Sequence, residues 1–170
     1  MVADYKVKSA VKSTKILLIE DDVIMTKLVK DVLVVMGFTD VTTVREGEKA
    51  LKEIALHNYD LIFCDWKMEG MDGIEFTRRL RTLPNEKCFI PVVMLTGKAS
   101  REDVELARDM GVNEYMIKPF SVNSLCAKIK SILENPRAYI LSDTYAGPDR
   151  RRKDDREKIP NGVDRRKRAS

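Results

Sequence analysis

Five short apolar runs punctuate the chain, and each is followed by a stretch whose apolar positions recur at helical spacing. Ile16-Leu17-Leu18-Ile19 precedes an amphipathic stretch over 23–36 that stops at Gly37. A weaker run, Val41-Thr42-Thr43-Val44, leads into 47–55, and Leu61-Ile62-Phe63-Cys64 leads into 74–80. Val92-Val93-Met94-Leu95 precedes 101–110, which stops at Gly111, and Tyr115-Met116-Ile117 precedes 122–133, which stops near Pro136. Unbroken apolar runs of this length mark strands buried on both faces, whereas the 3.6-residue period marks helices with one apolar side. Five such units in about 120 residues predict an α/β fold, an open, doubly wound, parallel five-stranded sheet with helices on both faces.

Ligands of such sheets bind beyond the carboxyl ends of the strands, so the residues just after each run are the informative ones. Strand one is followed by Glu20, Asp21 and Asp22, strand three by Asp65, strand four by Thr96 and strand five by Lys118-Pro119. Asp22 opens the first helix and is expected to cap it. Glu20, Asp21 and Asp65 brought together carry three negative charges, and Lys118 offsets one. Carboxylates packed this closely raise one another's pKa unless a cation separates them. An all-oxygen site with room for water suits Mg²⁺, which would clamp the oxygens of an incoming phosphoryl group. Asp65 then becomes a nucleophile that forms an acyl phosphate, with Lys118 and the Thr96 hydroxyl set to bind the remaining phosphoryl oxygens. Taken singly, Thr96 reads as a turn hydroxyl, Lys118 as a solvated charge and Tyr115 as a strand aromatic. Their functional reading comes from their positions relative to one another.

Composition narrows the choice. The 170 residues are 44% hydrophobic and 34% charged, and no apolar run reaches the length of a membrane span. The first fifteen residues lack the apolar core of a secretion signal, so a cytoplasmic location is expected. Cys64, Cys88 and Cys126 are an odd count without CxxC spacing, which predicts reduced core thiols rather than disulfides or a zinc site. With His57 the only histidine, a His-rich metal site and a nucleophile–histidine triad are both excluded.

Charge is unevenly placed. Residues 143–170 hold ten Lys/Arg against six Asp/Glu, while the other 142 residues hold 21 of each. The tail repeats itself at a spacing of 15 residues, Gly147-Pro148-Asp149-Arg150-Arg151 and Gly162-Val163-Asp164-Arg165-Arg166. Three parts are therefore expected: an N-terminal extension over 1–13, the α/β domain over 14–136, and a basic, mostly disordered tail over 137–170, its start anchored by Tyr139, Ile140, Leu141 and Tyr145. The tail is expected either to be a solvated charged extension with no dedicated partner or to dock on an acidic protein surface, with nucleic acid the weaker binding choice because acids interleave its arginines. It is too short for a dedicated DNA-binding domain.

The ordered series "ILLIEDD", "IFCDWKMEGMDG", "VMLTG" and "YMIKPF" resembles the receiver domain of bacterial response regulators, in particular the stand-alone regulators of chemotaxis type. The resemblance spans roughly 14–134 and implies a flavodoxin-like (βα)5 fold. It implies Asp65 as phosphoacceptor, taking its phosphoryl group from a histidine kinase or a histidine phosphotransfer protein. Mg²⁺ would be held by Asp21, Asp65 and the backbone carbonyl of Lys67, with Glu20 acting through water. Thr96 and Lys118 would bind the phosphoryl group, and Tyr115 would be the switch aromatic that turns inward with Thr96. A cis Lys118–Pro119 bond and output to a protein partner through the face of the fourth helix, fifth strand and fifth helix are also implied. Two positions depart from the pattern, Glu20 where Asp is commoner and Glu69 where Pro often stands. Lys67 and Lys98, each two residues past a key site residue, are expected to alter the lifetime of the phosphoryl group.

Two competing functions remain at this stage. A Mg²⁺-dependent aspartyl-phosphate phosphohydrolase would use the same residue types, but such enzymes place their nucleophile after strand one. A phosphate-independent scaffold acting through the basic tail would have no need of the full Glu20, Asp21, Asp65, Thr96 and Lys118 set.

Overall fold

A computed structural model describes residues 13–97, 100–142 and 145–149. Lys98, the N-terminal extension up to residue 12 and the tail from Arg150 onward, with its second repeat, lie outside the described residues. Strands β1 (Lys15–Ile19), β2 (Asp40–Val44), β3 (Leu61–Asp65), β4 (Val92–Thr96) and β5 (Glu114–Ile117) alternate with helices α1 (Val23–Val35), α2 (Gly47–Leu56), α3 (Gly73–Arg81), α4 (Arg101–Asp109) and α5 (Val122–Glu134). The strands form one sheet in the order β2-β1-β3-β4-β5, and every pair is parallel. This is the doubly wound (βα)5 sheet that the periodicity predicts. Among the described residues, no helix is long and apolar enough to cross a membrane.

The apolar runs are continuous because alternate residues serve two different cores. Ile16, Leu18, Leu61, Phe63, Val93 and Leu95 point to one face, where Val29 and Leu33 of α1 and Leu125 and Ile129 of α5 cover them. Leu17, Ile19, Ile62, Cys64 and Val92 point to the other, against Ala50 and Ile54 of α2 and Phe76 and Leu80 of α3. Side chains alternate sides along a strand, so burial of both faces requires apolar residues at every position. Asp22 caps α1 as expected, its carboxylate accepting from the Ile24 and Met25 backbone N–H groups.

The chain does not leave the fold at Pro136. An antiparallel hairpin of β6 (Tyr139–Ser142) and β7 (Tyr145–Pro148) follows α5 and forms its own two-stranded sheet. Residues 139–142 and 145–148 thus carry ordered structure beyond the 136/137 edge. The cause is Arg81. Its guanidinium is buried and donates to the carbonyls of Cys88, Ile90 and Gly111 and to Asn113 Oδ1. The Tyr139 ring lies 5.5 Å from it and the Tyr139 hydroxyl donates to Asn113 Oδ1 at 3.0 Å, so the hairpin gains a cation–π contact and a hydrogen bond by docking. Tyr139 also meets Phe89, from a 3₁₀ turn (Glu86–Phe89), edge to face with 5.3 Å between ring centroids.

Candidate phosphoacceptor site

All four loops that matter open at the carboxyl edge of the sheet. Asp65 is the last residue of β3 and Thr96 the last of β4, while Glu20 follows β1 and Lys118 follows β5. Register then does the assembly. Parallel pairing sets Asp65 beside Leu95 and Thr96 beside Ile117, and the Lys118 N–H donates to the Thr96 carbonyl. The Lys118–Pro119 peptide bond is cis, as the resemblance implied.

Lys118 bridges the carboxylates. Its ammonium lies 2.7 Å from Glu20 Oε2 and 3.0 Å from Asp65 Oδ1. Asp65 Oδ1 also accepts from the Trp66 N–H at 2.9 Å, so both contacts fall on the same oxygen. Glu20 and Asp65 are buried and Asp21 is exposed, and oxygens of all three lie within 4.8 Å of one another. Glu20 Oε1 is a buried oxygen without a hydrogen-bond partner. Such an atom costs free energy unless something engages it, and a cation with its water shell meets that need. The donor set is all oxygen, partly open to solvent, and fits a hard divalent ion.

The electrostatics agree with that fit. Burial pushes the Glu20 carboxyl up to about 7; the Asp65 charge adds to the rise, while the hydrogen bond and charge of Lys118 oppose it. Burial works against the Lys118 ammonium, but Glu20 and Asp65 outweigh it and its pKa moves up. Thr96 is buried. Tyr115 is half-buried, its hydroxyl raised by burial and hydrogen-bonded to the Thr96 side chain. The Trp66 and Tyr115 rings meet edge to face at 6.1 Å. Lys67 is exposed in the loop that follows Asp65.

A close approach beneath Asp65 holds this loop. Gly73 opens α3 with its N–H donating to the Trp66 carbonyl at 2.9 Å. A Cβ at Gly73 would sit 2.2 Å from the Asp65 carbonyl oxygen, a backbone atom that cannot step aside. Gly73→Ala is therefore expected to cost about 1–3 kcal/mol in urea denaturation. An unchanged midpoint would contradict this packing.

The model of the response regulator receiver domain matches residues 16–130. The chain belongs to the response regulator receiver family. Chemotaxis protein CheY of Pseudomonas aeruginosa is 37% identical over 120 residues, which cover 71% of this chain and 96% of that protein. Chemotaxis protein CheY-3 of Vibrio cholerae serotype O1 is 35% identical over 123 residues, 72% of this chain and 94% of its own. Among solved structures, a two-component response regulator from Clostridium difficile superposes with a TM-score of 0.67 at 28% identity, over 74% of this chain and 100% of that one. The receiver domain of a Pseudomonas aeruginosa sensor histidine kinase, solved with a magnesium ion coordinated in its active-site cleft, gives 0.65 at 29% identity over 72% and 98%. The family match ends before β6 begins, so the hairpin is an addition to the receiver unit.

Sequence reasoning brought Glu20, Asp21, Asp65, Thr96 and Lys118 to one edge, and they lie there; Tyr115 lies within β5, beside Met94. Sequence reasoning missed Arg81 and Asn113. A signal for Arg81 existed: Gly73, Phe76, Thr77, Leu80 and Arg81, the buried residues of α3, follow an i, i+3, i+4, i+7, i+8 stripe. An arginine on that stripe reads as buried.

Proposed function

We propose that this receiver accepts a phosphoryl group on Asp65 from a phosphorylated histidine of a kinase or phosphotransfer protein. The carrying observation is the Glu20, Asp21 and Asp65 cluster bridged by Lys118, with one buried Glu20 oxygen left over. Mg²⁺ would be held by Asp21, Asp65 and the Lys67 carbonyl, and by Glu20 through water. When bound, it neutralises the carboxylates and holds phosphoryl oxygens. The magnesium-bound Pseudomonas receiver supports that choice of metal.

Asp65 Oδ1 is already engaged by Trp66 and Lys118, which makes Oδ2 the nucleophile. A P–O bond forms at Oδ2 as the donor's P–N bond breaks, and the departing imidazole takes up a proton. Lys118 moves its ammonium from the carboxylates to a phosphoryl oxygen, and the Thr96 hydroxyl donates to another. Tyr115, hydrogen-bonded to Thr96, follows that hydroxyl and acts as the switch. The phosphorylated state is selected from a pre-existing equilibrium, because only there do Thr96 and Lys118 gain phosphoryl contacts. Output passes to a protein partner through α4, β5 and α5, where Val104, Ile117 and Val122 are exposed apolar residues. The phosphohydrolase alternative is weaker on position, since the candidate nucleophile ends β3 and not β1.

Trp66, buried beside Asp65, reports the test. Its fluorescence should respond to Mg²⁺ and again to beryllofluoride, a phosphoryl mimic. Glu20 keeps its proton up to about pH 7, so below that a cation must displace it and above it need not. Mg²⁺ affinity should therefore fall as pH drops through about 7, and Glu20→Gln should lose that step. A pH-independent affinity, or no Trp66 response to either ligand, would count against the reading.

A further inference from the structure

The hairpin touches the receiver at a built seat. Arg81 ends α3, Phe89 lies in the 3₁₀ turn before β4, and Gly111 and Asn113 form the turn between α4 and β5. All four lie at the amino edge of the sheet, opposite Asp65. The approach at the turn is backbone to backbone. A Cβ on Gly111, whose φ is +89°, would lie 2.8 Å from the Ala146 carbonyl oxygen, and one on Gly147 would lie 2.8 Å from Gly111 Cα. Asn113 Oδ1 collects three donors: the Val92 N–H at 3.0 Å, Arg81 at 3.1 Å and the Tyr139 hydroxyl at 3.0 Å.

An isolated two-stranded hairpin is marginal in water, and β6–β7 shares no backbone ladder with the main sheet. Its order comes from the seat, so docking is a separate equilibrium from folding of the receiver. The seat is also the joint of the proposed switch. Gly111 follows α4, Asn113 precedes β5 and its Tyr115, and the Val92 N–H held by Asn113 starts the strand that ends at Thr96.

We propose that the seat of Arg81, Phe89, Gly111 and Asn113 is an effector site, that its ligand is the chain's own Tyr139–Pro148 hairpin, and that docking there opposes the phosphorylated state. The proposal rests on the phosphoacceptor reading above. With the hairpin docked, the α4–β5 turn is pinned in the arrangement where Tyr115 engages the Thr96 side chain. Turning Thr96 toward a phosphoryl group requires Tyr115, at the start of β5, to move with it, so whatever tightens the turn resists it. Release of the hairpin removes the restraint and frees the chain from residue 136 onward. A partner that captures the basic extension could thus act on the switch from the far end of the sheet.

Linkage is reciprocal for binding, which gives a test in two directions. Affinity of the full chain for beryllofluoride with Mg²⁺ is read from Trp66 in the wild type, in Tyr139→Ala and in Gly147→Val. Both substitutions sit on the hairpin, so the receiver's own cores are untouched. Hydrogen exchange at the amides of Tyr139–Ser142 and 145–147 verifies undocking. Both variants should bind the mimic about five-fold more tightly, within the usual range of coupling between sites. In the wild type, saturating mimic should speed exchange of the hairpin amides by the same factor, a readout that needs no variant. Unchanged or weaker mimic affinity in variants whose hairpin exchanges freely would overturn the proposal and leave the phosphoacceptor reading standing. No response of wild-type Trp66 to the mimic would instead remove that reading, and this proposal with it.

Discussion

Lys118→Met is expected to slow phosphoryl uptake by about 100-fold, the usual cost of removing one aimed electrostatic partner from a reacting site. Two losses combine. The ammonium now 2.7 Å from Glu20 and 3.0 Å from Asp65 would no longer meet the incoming phosphoryl oxygens. Without it, the two buried carboxylates also face each other with less compensation, and Glu20, whose rise Lys118 now opposes, holds its proton more firmly. Methionine keeps the length and the apolar stem, which confines the change to charge. The rate is measured as covalent phosphate formed from a small phosphodonor at saturating Mg²⁺. Lys118→Arg should recover only part of it, because a planar guanidinium cannot place a single point charge between both carboxylates and then move it. A Met variant within two-fold of wild type would remove Lys118 from the site's chemistry.

The largest effect on stability is expected at Arg81. Arg81→Leu should cost about 3–5 kcal/mol in urea denaturation, because several buried acceptors lose their donor at once. Leucine fills much of the volume but leaves the Cys88, Ile90 and Gly111 carbonyls short of the donors they now have. Burial draws the Arg81 pKa down, yet a guanidinium stays charged in proteins, and here its charge is spread over four acceptors and the Tyr139 ring. Lysine should not rescue the loss, since no single ammonium reaches the fork of acceptors on both sides. A cost under about 1 kcal/mol would mean that the Arg81 network is peripheral to folding.

The core of the fold was legible because two-face burial leaves a plain trace. Leu61 to Cys64 must be apolar at every position to serve two cores, and the run is too short to be a buried helix. The site was legible because a parallel sheet delivers the ends of neighbouring strands to one edge, so position relative to each run located Glu20, Asp65, Thr96 and Lys118 without any knowledge of side-chain geometry. Strand order and the Lys118 bridge were not readable, since both depend on which runs become neighbours. The hairpin was harder still. Tyr139, Ile140 and Leu141 are too few to make a core, and their order depends on an arginine that local sequence shows as one of three in "TRRLR". Only its place on the buried stripe of α3 sets Arg81 apart from Arg78 and Arg79, which pair with Glu75 on the surface.

The most direct measurement is the intact mass of the full chain after incubation with Mg²⁺ and a small acyl phosphate donor, followed by mapping of the modified residue. Wild type should gain one phosphoryl group, labile to hydroxylamine as an acyl phosphate is, and the label should map to Asp65; Asp65→Asn should gain none. A wild-type chain that stays unmodified, or an Asp65→Asn chain that is labelled to the same extent, would contradict the assignment of this receiver's phosphoacceptor.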